Sequence, residues 1–441
     1  MNGKTAVVLA GGGSRGAYQL GVWRALRQLK IEYQIVTGTS VGALNGVLMV
    51  QQDYEQAQAV WENISYEKVL QGAPSGREDP WLWAGFAKKT MEQRGVDVTP
   101  LEGMIRSLVD EERFYRSPID YALVTVEYPS LRPLELRKEQ IPPGMLGEYL
   151  MASASCFPAF PTKEIGGNRY VDGGYHDNMP VNLAIQMGAR RVIAVDLESV
   201  GRMPRIHAGG RPVTVIRPSW NLGSFLQFEP GLARRNIELG YLDTMKALGQ
   251  LEGYLYAFDR ESWLRESKFI QASARELLDA LREADPGGWG SLERKLLIRQ
   301  EREFLKKSQG LHPYNPDRMV LLAAEACGEC LGADPLQRYD FGRFQMILRN
   351  LWLQKRPQTP PEEWEGLLAQ LHRRFSELSA WDQTSRVHLI LGRIAALLRG
   401  EGSMAQLQLL AGAFTKEFWA ALYLCVIANR FGQKKEEIQH E

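Results

Sequence analysis

A short apolar run, Ala6 to Ala10, passes without a linker into Gly11-Gly12-Gly13-Ser14-Arg15-Gly16, and a helix-patterned stretch begins at Ala17. Such a chain must fold as strand, tight loop and helix. The loop then offers backbone N–H groups that have no intrahelical acceptor, and glycines let that backbone approach a ligand closely. One step later a second strand runs into Gly38-Thr39-Ser40-Val41-Gly42, followed by a run of small and apolar residues from Val41 to Val50 that reads as a buried helix. The two turns fix the first fifty residues as a βαβ unit with an anion-binding loop beside an exposed serine.

Further strand-like runs at residues 121–127, 191–196 and 212–217 join those at 5–10 and 33–37. They alternate with amphipathic helices, the pattern of a mostly parallel sheet covered on both faces. In the first helix Val22, Ala25, Leu26 and Leu29 fall at i, i+3, i+4 and i+7, with Arg24, Arg27 and Lys30 off that stripe. The expected fold class is α/β, a three-layer α/β/α sandwich followed by a smaller helical C-terminal domain. At 441 residues the chain exceeds what one core usually organises. From Glu261 onward β-branched runs become scarce and helical periodicity dominates, so the domains are expected at residues 1–257 and 258–441. A linker is expected at residues 284–290, Ala-Asp-Pro-Gly-Gly-Trp-Gly. Thr359-Pro360-Pro361-Glu362 reads as a helix start.

The serine turn supplies a nucleophile. Gly-x-Ser-x-Gly between strand and helix holds the serine in strained backbone geometry with its hydroxyl projecting, and Gly38 and Gly42 make room for the bend. A base must then take its proton. Asp172 ends the run Arg169-Tyr170-Val171 and precedes Gly173-Gly174, which leaves its carboxylate open. An aspartate beside a serine accepts the proton directly when an oxyanion hole carries much of the stabilisation.

Three other readings stand beside this one. Asp172-Gly173 also fits a plain Asx turn. Asp196 and His207 give the Ser, Asp, His order of a hydrolase triad, although residues 198–212 around His207 read as an irregular loop. Gly11-x-Gly13-x-x-Gly16 matches a dinucleotide fingerprint, which wants an acidic residue at the end of the second strand. Here Glu32 precedes that strand instead.

Taken in order, the three motifs resemble the bacterial patatin-like phospholipase family. That family has a Gly-Gly-Gly-x-Arg-Gly loop, a Gly-x-Ser-x-Gly elbow and an Asp-Gly-Gly/Ala motif, with a Ser–Asp dyad in place of a triad. The resemblance extends through Met151-Ala152-Ser153-Ala154-Ser155, Phe157-Pro158 and the run from Val171 to Leu183. It covers about residues 4–200 and fades after about 255. It implies Ser40 as nucleophile, Asp172 as base, and the backbone of Gly11, Gly12 and Gly13, aided by Arg15, as the oxyanion hole. Ala10 departs from relatives that often carry a glycine or aspartate there. The implied activity is cleavage of carboxylic esters of acyl lipids or phospholipids through an acyl-enzyme, without cofactor or metal. A regulatory or interaction protein with weak hydrolase activity, and a Ser-His-Asp esterase, are the alternatives.

Composition bears on partners and location. A net charge of +1 gives no electrostatic case for nucleic acid. Cys156, Cys327, Cys330 and Cys425 are too few for a disulfide framework and suit a reducing, cytoplasmic compartment. Cys327-Gly328-Glu329-Cys330 lacks a second ligand pair and reads as two thiols on one helix face. The apolar run before the first glycines is too short for a signal-peptide core. Residues 418–428, the longest apolar candidate, fall short of a membrane span and read as a buried helix, leaving transient contact with a membrane surface as an expectation. Trp81, Trp83, Phe86 and Met91 are read either as core or as a cap over the site. Oligomeric state has no sequence signature here.

Overall fold

The computed structural model describes residues 3–73, 96–290, 292, 319–355 and 375–440. The Thr359–Glu362 helix start and the residues Trp81, Trp83, Phe86 and Met91 lie outside these. Two compact units are present, Met1–Leu248 and Gly249–Glu441.

The first unit is built on one sheet. Its strands are β1 (Thr5–Leu9), β2 (Ile35–Thr39), β3 (Asp120–Tyr128), β4 (Pro133–Arg137), β5 (Lys163–Ile165), β6 (Asn168–Asp172), β7 (Arg191–Val195) and β8 (Val213–Ile216). Their order is β5-β6-β3-β2-β1-β7-β8, with β4 also paired to β3. From β3 through β2, β1 and β7 to β8 every pairing is parallel, while β4, β5 and β6 add an antiparallel flank. All five expected strand runs are present within one or two residues of the expected ends.

Residues Ala6 to Ala10 are at most 1% exposed, which is why this strand reads as a continuous apolar run without polar alternation. One face, carrying Ala6, Val8 and Ala10, packs with Met179, Val181 and Ala184 of the segment around a short helix, Val181–Gln186. The other face receives helix α2 (Val41–Gln51), which is buried on nearly every side and therefore shows no amphipathic stripe. Helix α1 (Ala17–Gln28) buries Val22, Ala25 and Leu26 as the periodicity requires and is tied by the Tyr18 hydroxyl, which donates to Asp243 at 2.9 Å, to helix Pro230–Ala247.

The second unit is mostly helical, with long helices at Arg260–Ala284, Gln383–Leu398 and Thr415–His440. It also holds a small sheet of three short strands, Leu251–Glu252, Ala257–Asp259 and Arg338–Tyr339. These strands are too short for a sequence pattern to announce. The buried Glu325 carboxylate pins the chain between them, accepting the N–H groups of Tyr254, Leu255 and Tyr256 at 2.6, 2.9 and 3.0 Å. The glycine-rich stretch at 284–290 is no linker: Trp289 is 1% exposed, and the Gly288 carbonyl accepts the Gln408 amide at 2.7 Å. Burial of that one indole outweighs the flexible composition around it. Residues 418–428 lie within a helix whose Phe418, Ala421, Leu424 and Ile427 are buried. Among the described residues no helix is long and apolar enough to cross a membrane.

Candidate active site

The site forms where the parallel strands end. Order reverses at β1, whose neighbours are β2 on one side and β7 on the other, and the loops leaving such a switch point diverge to leave a crevice. The glycine loop leaves β1 there, and Ser40 follows β2 directly. Sheet register then brings in Asp172. Thr39 is paired with Val124 and the adjacent Thr125 with Asp172, so the antiparallel β6 delivers its last residue to the edge at which Ser40 emerges.

Ser40 has φ 56° and ψ −127°, a left-handed conformation that a side-chain-bearing residue adopts only when its surroundings over-determine it. Two close approaches enforce it. A Cβ on Gly38 would collide with the Gly42 carbonyl, and one on Gly42 with the Leu9 carbonyl of β1. The Ser40 N–H donates to the buried Ser153 hydroxyl at 2.9 Å, and that hydroxyl donates to the Val124 carbonyl at 2.7 Å. The serine is thus held from behind, with its own hydroxyl turned to the cavity.

That hydroxyl is near enough to the Asp172 carboxylate to lower its pKa. Burial raises the Asp172 pKa to about 6, against the lowering effect of the Ser40 hydroxyl and of the Gly174 N–H, which donates to Oδ1 at 2.7 Å. The carboxylate is therefore a stronger base than an exposed aspartate and is still mostly ionised at neutral pH. The Asx turn through Gly174 is also present, so the two readings of Asp172-Gly173 describe one arrangement. Burial, with the Asp172 charge second, pushes the neighbouring Cys156 thiol up to about 11.

The glycine loop divides into committed and uncommitted donors. The Gly11 N–H donates to the Asn178 carbonyl at 3.0 Å, the Ser14 N–H to the Phe225 carbonyl at 2.8 Å and the Arg15 N–H to the Gly12 carbonyl at 3.2 Å. Among the described residues the Gly12 and Gly13 N–H groups have no such acceptor, and both glycines line the cavity with Ser40 and Asp172. At the start of α2 the Val41 N–H likewise precedes any intrahelical bond. Two of the expected oxyanion contributors are engaged elsewhere in this arrangement. Gly11 is a structural anchor, and the Arg15 guanidinium faces three carbonyls, Gly223 at 2.9 Å, Glu198 at 2.6 Å and Leu197 at 3.2 Å, where it clamps the loop.

A buried polar chain ties the loop to the serine helix. The Trp61 indole donates to Asn45 Oδ1 at 3.0 Å. Asn45 donates to Gln19 Oε1 at 2.8 Å and to the Gly16 carbonyl at 3.0 Å, and Gln19 donates to the Ala10 carbonyl at 2.7 Å. Both ends of the loop are thereby fixed to α2. Gln19, Asn45, Trp61 and Asn178 belong to none of the three motifs. The only available signal was a polar residue inside an otherwise apolar helix face, as at Asn45.

The cavity has a volume of about 650 Å³. Its inner arm is apolar, formed by Leu44, Val47 and Leu48 of α2, Val60 and Ile64 beyond it, and Leu101 and Ile105 of helix Thr99–Leu108. No described histidine lines it. His207 is exposed, with its backbone N–H on Asn182. The Asp196 carboxylate is held by the Arg217 guanidinium at 2.7 Å and the Glu198 N–H at 2.9 Å. The structure thus does not bring the alternative triad into the cavity. Cys327 and Cys330 are free and buried on helix Met319–Leu331; burial pushes both thiols up, Cys330 to about 12.

Fold and site together define an α/β protein with a serine on a strand-to-helix elbow, paired to a buried carboxylate beside an apolar cavity. Residues 7–185 match the family model of patatin-like phospholipase, and the chain contains a domain of that family. The lysophospholipase NTE1 of Kluyveromyces lactis is 30% identical over 244 residues, 55% of this chain and 16% of that protein. Patatin-like phospholipase domain-containing protein 7 of Rattus norvegicus is 29% identical over 206 residues, 44% of this chain and 14% of that protein. The chain thus matches about one-sixth of the length of these curated relatives. The structure of VipD from Legionella pneumophila covers 96% of this chain and 90% of its own at 13% identity, with a TM-score of 0.38, too distant to bear on function.

Proposed function

We propose that the first unit is a serine acyl hydrolase that cleaves carboxylic esters of acyl lipids. The observation that carries this reading is that Ser40, on its strand-to-helix elbow, and the buried Asp172 carboxylate line the same end of an apolar cavity, close enough for the hydroxyl to lower the carboxylate's pKa. In the first half-reaction Asp172 accepts the Ser40 proton as Oγ attacks the ester carbonyl, and the Gly12 and Gly13 N–H groups hold the tetrahedral oxyanion. Collapse expels the alcohol, which takes the proton from Asp172. Water, deprotonated by the same carboxylate, then releases the acyl group from Ser40. The apolar arm accommodates the acyl chain, each buried methylene adding about 0.8 kcal/mol. The names of the relatives point to the same chemistry over the part of the chain they share.

Contact with a lipid surface at the cavity mouth belongs to this reading: Val200 is 94% and Tyr175 47% exposed there. A cytoplasmic location with peripheral membrane contact is likewise proposed, supported by four free cysteines. The second unit is assigned no chemistry. A lipid-class panel tests the proposal. Release of fatty acid from at least one acyl glycerolipid, reduced to background by Ser40→Ala and unchanged by His207→Ala, is expected. Loss on His207→Ala with Ser40→Ala active overturns the dyad, and hydrolysis of no ester favours a regulatory or interaction protein.

A further inference from the structure

Among the described residues only two charged side chains line the cavity, Asp172 and Arg202. Asp172 is buried, whereas Arg202 sits on the exposed rim beside Ser199, Val200 and Gly201. Its position is fixed by backbone on both sides. The Arg202 N–H donates to the Gly174 carbonyl at 2.8 Å, and the Asn178 N–H donates to the Arg202 carbonyl at 2.8 Å. Gly174 is two residues from Asp172, and Asn178 is the anchor of Gly11, so Arg202 is tied to both halves of the site. Its guanidinium has no hydrogen bond or ion pair among the described residues, in contrast to Arg15, whose guanidinium is bound to three carbonyls.

A cation on the rim of an apolar cavity, whose other charge is the Asp172 carboxylate at the reacting end, favours an anion on the part of the substrate that stays at the rim. With an acyl chain in the inner arm and its ester at Ser40, the part of the substrate left at the rim is the head group. A phosphate there matches the planar guanidinium fork, which binds phosphate through paired hydrogen bonds. Resting on the hydrolase reading above, we propose that Arg202 binds the phosphate of the substrate's head group, so that the site prefers acyl esters carrying a phosphate close to the scissile bond over uncharged acylglycerols.

The test uses the full chain and short-chain substrates below their aggregation threshold: a monoacylglycerol phosphate and the matching monoacylglycerol. Expected for Arg202→Gln is a loss of about tenfold or more in kcat/KM on the phosphate ester, mainly through KM. The neutral ester should be unaffected within about twofold, the scatter expected for an exposed substitution. Arg202→Lys should recover part of the loss, and the wild-type preference should weaken as salt rises. An equal loss on both esters, or no loss on either, overturns the proposal while the hydrolase reading stands. A loss seen only with anionic vesicles and not with monomeric substrate also overturns it, placing Arg202 in membrane docking. A wild type inactive on both esters overturns the reading and the proposal together.

Discussion

The Ser153 hydroxyl stands behind Ser40, accepting its backbone N–H at 2.9 Å and donating in turn to the Val124 carbonyl at 2.7 Å. One buried side chain thus couples the serine elbow to the middle of β3, beside Thr125, with which Asp172 of the neighbouring strand is paired. Ser153→Ala leaves a buried donor and a buried acceptor without partners, each costing about 1–3 kcal/mol. Urea unfolding should register that loss, and kcat should fall with KM nearly unchanged, because the elbow and not the acyl-binding arm is disturbed. Wild-type kcat in a destabilised Ser153→Ala would show that the bond supports the fold alone.

The Asp172 pKa of about 6 sets the pH dependence. The base must be ionised, so kcat/KM should rise with pH along a limb centred near 6, where an exposed aspartate would place it near 4. Asp172→Asn should lower turnover by about 10²–10⁴.

The same shift has a stability consequence of opposite sign. A carboxyl whose folded pKa lies above its unfolded value contributes stability that is present below about pH 4 and lost as pH rises through 6. Asp172→Asn should therefore match the wild type near pH 4 and exceed it above pH 7 by up to about 3 kcal/mol, two pKa units converted. Denaturant midpoints at the two pH values check this. A variant less stable than wild type at pH 8 would mean that burial is not what raises the carboxyl.

The chain Trp61, Asn45, Gln19 fixes the glycine loop to α2 through the Ala10 and Gly16 carbonyls. Asn45→Leu removes the central link and leaves buried polar groups on both sides, so it should cost about 1–3 kcal/mol of stability. Turnover should fall further than that loss accounts for at temperatures where the protein is fully folded. Gln19→Leu should behave alike, and the double variant should lose less than the sum, since one network is broken twice.

In the loop, Gly12 is predicted to be more sensitive than its uncommitted position suggests. A Cβ there would lie 2.8 Å from Leu197 Cδ1, so either the Leu197 side chain or the loop must give way. Gly12→Ala should reduce kcat by about 10²–10³, the scale of losing one oxyanion donor, with a smaller change in KM. Calorimetry with NAD on the wild type tests the rival fingerprint: saturable binding with no ester turnover would replace the hydrolase by a nucleotide site.

The strand–loop–helix pattern, the elbow at Ser40 and the position of Asp172 were all legible in sequence, because each is a local event: an apolar run, a glycine spacing, a strand end before Gly-Gly. What was not legible depends on contacts between distant residues. Gly11 and Gly12 are equivalent as letters; only the Asn178 carbonyl, 167 residues away in sequence, separates the anchor from the free donor. The engagement of the Arg15 guanidinium with the Gly223, Leu197 and Glu198 carbonyls could not be read from its place in the loop motif. Residues 284–290 had the composition of a linker, yet one buried tryptophan holds them in the second unit. Strands of two or three residues, such as Leu251–Glu252, carry too little pattern to compete with the helical periodicity around them.

If Ser40 is the nucleophile of an ester hydrolase, a fluorophosphonate must modify it covalently, and peptide mapping after labelling locates the modified residue. A single stoichiometric adduct is expected on Ser40, formed faster above pH 6 than below it, slowed in Asp172→Asn and absent in Ser40→Ala. An adduct on another serine, or undiminished labelling of Ser40→Ala, would contradict it.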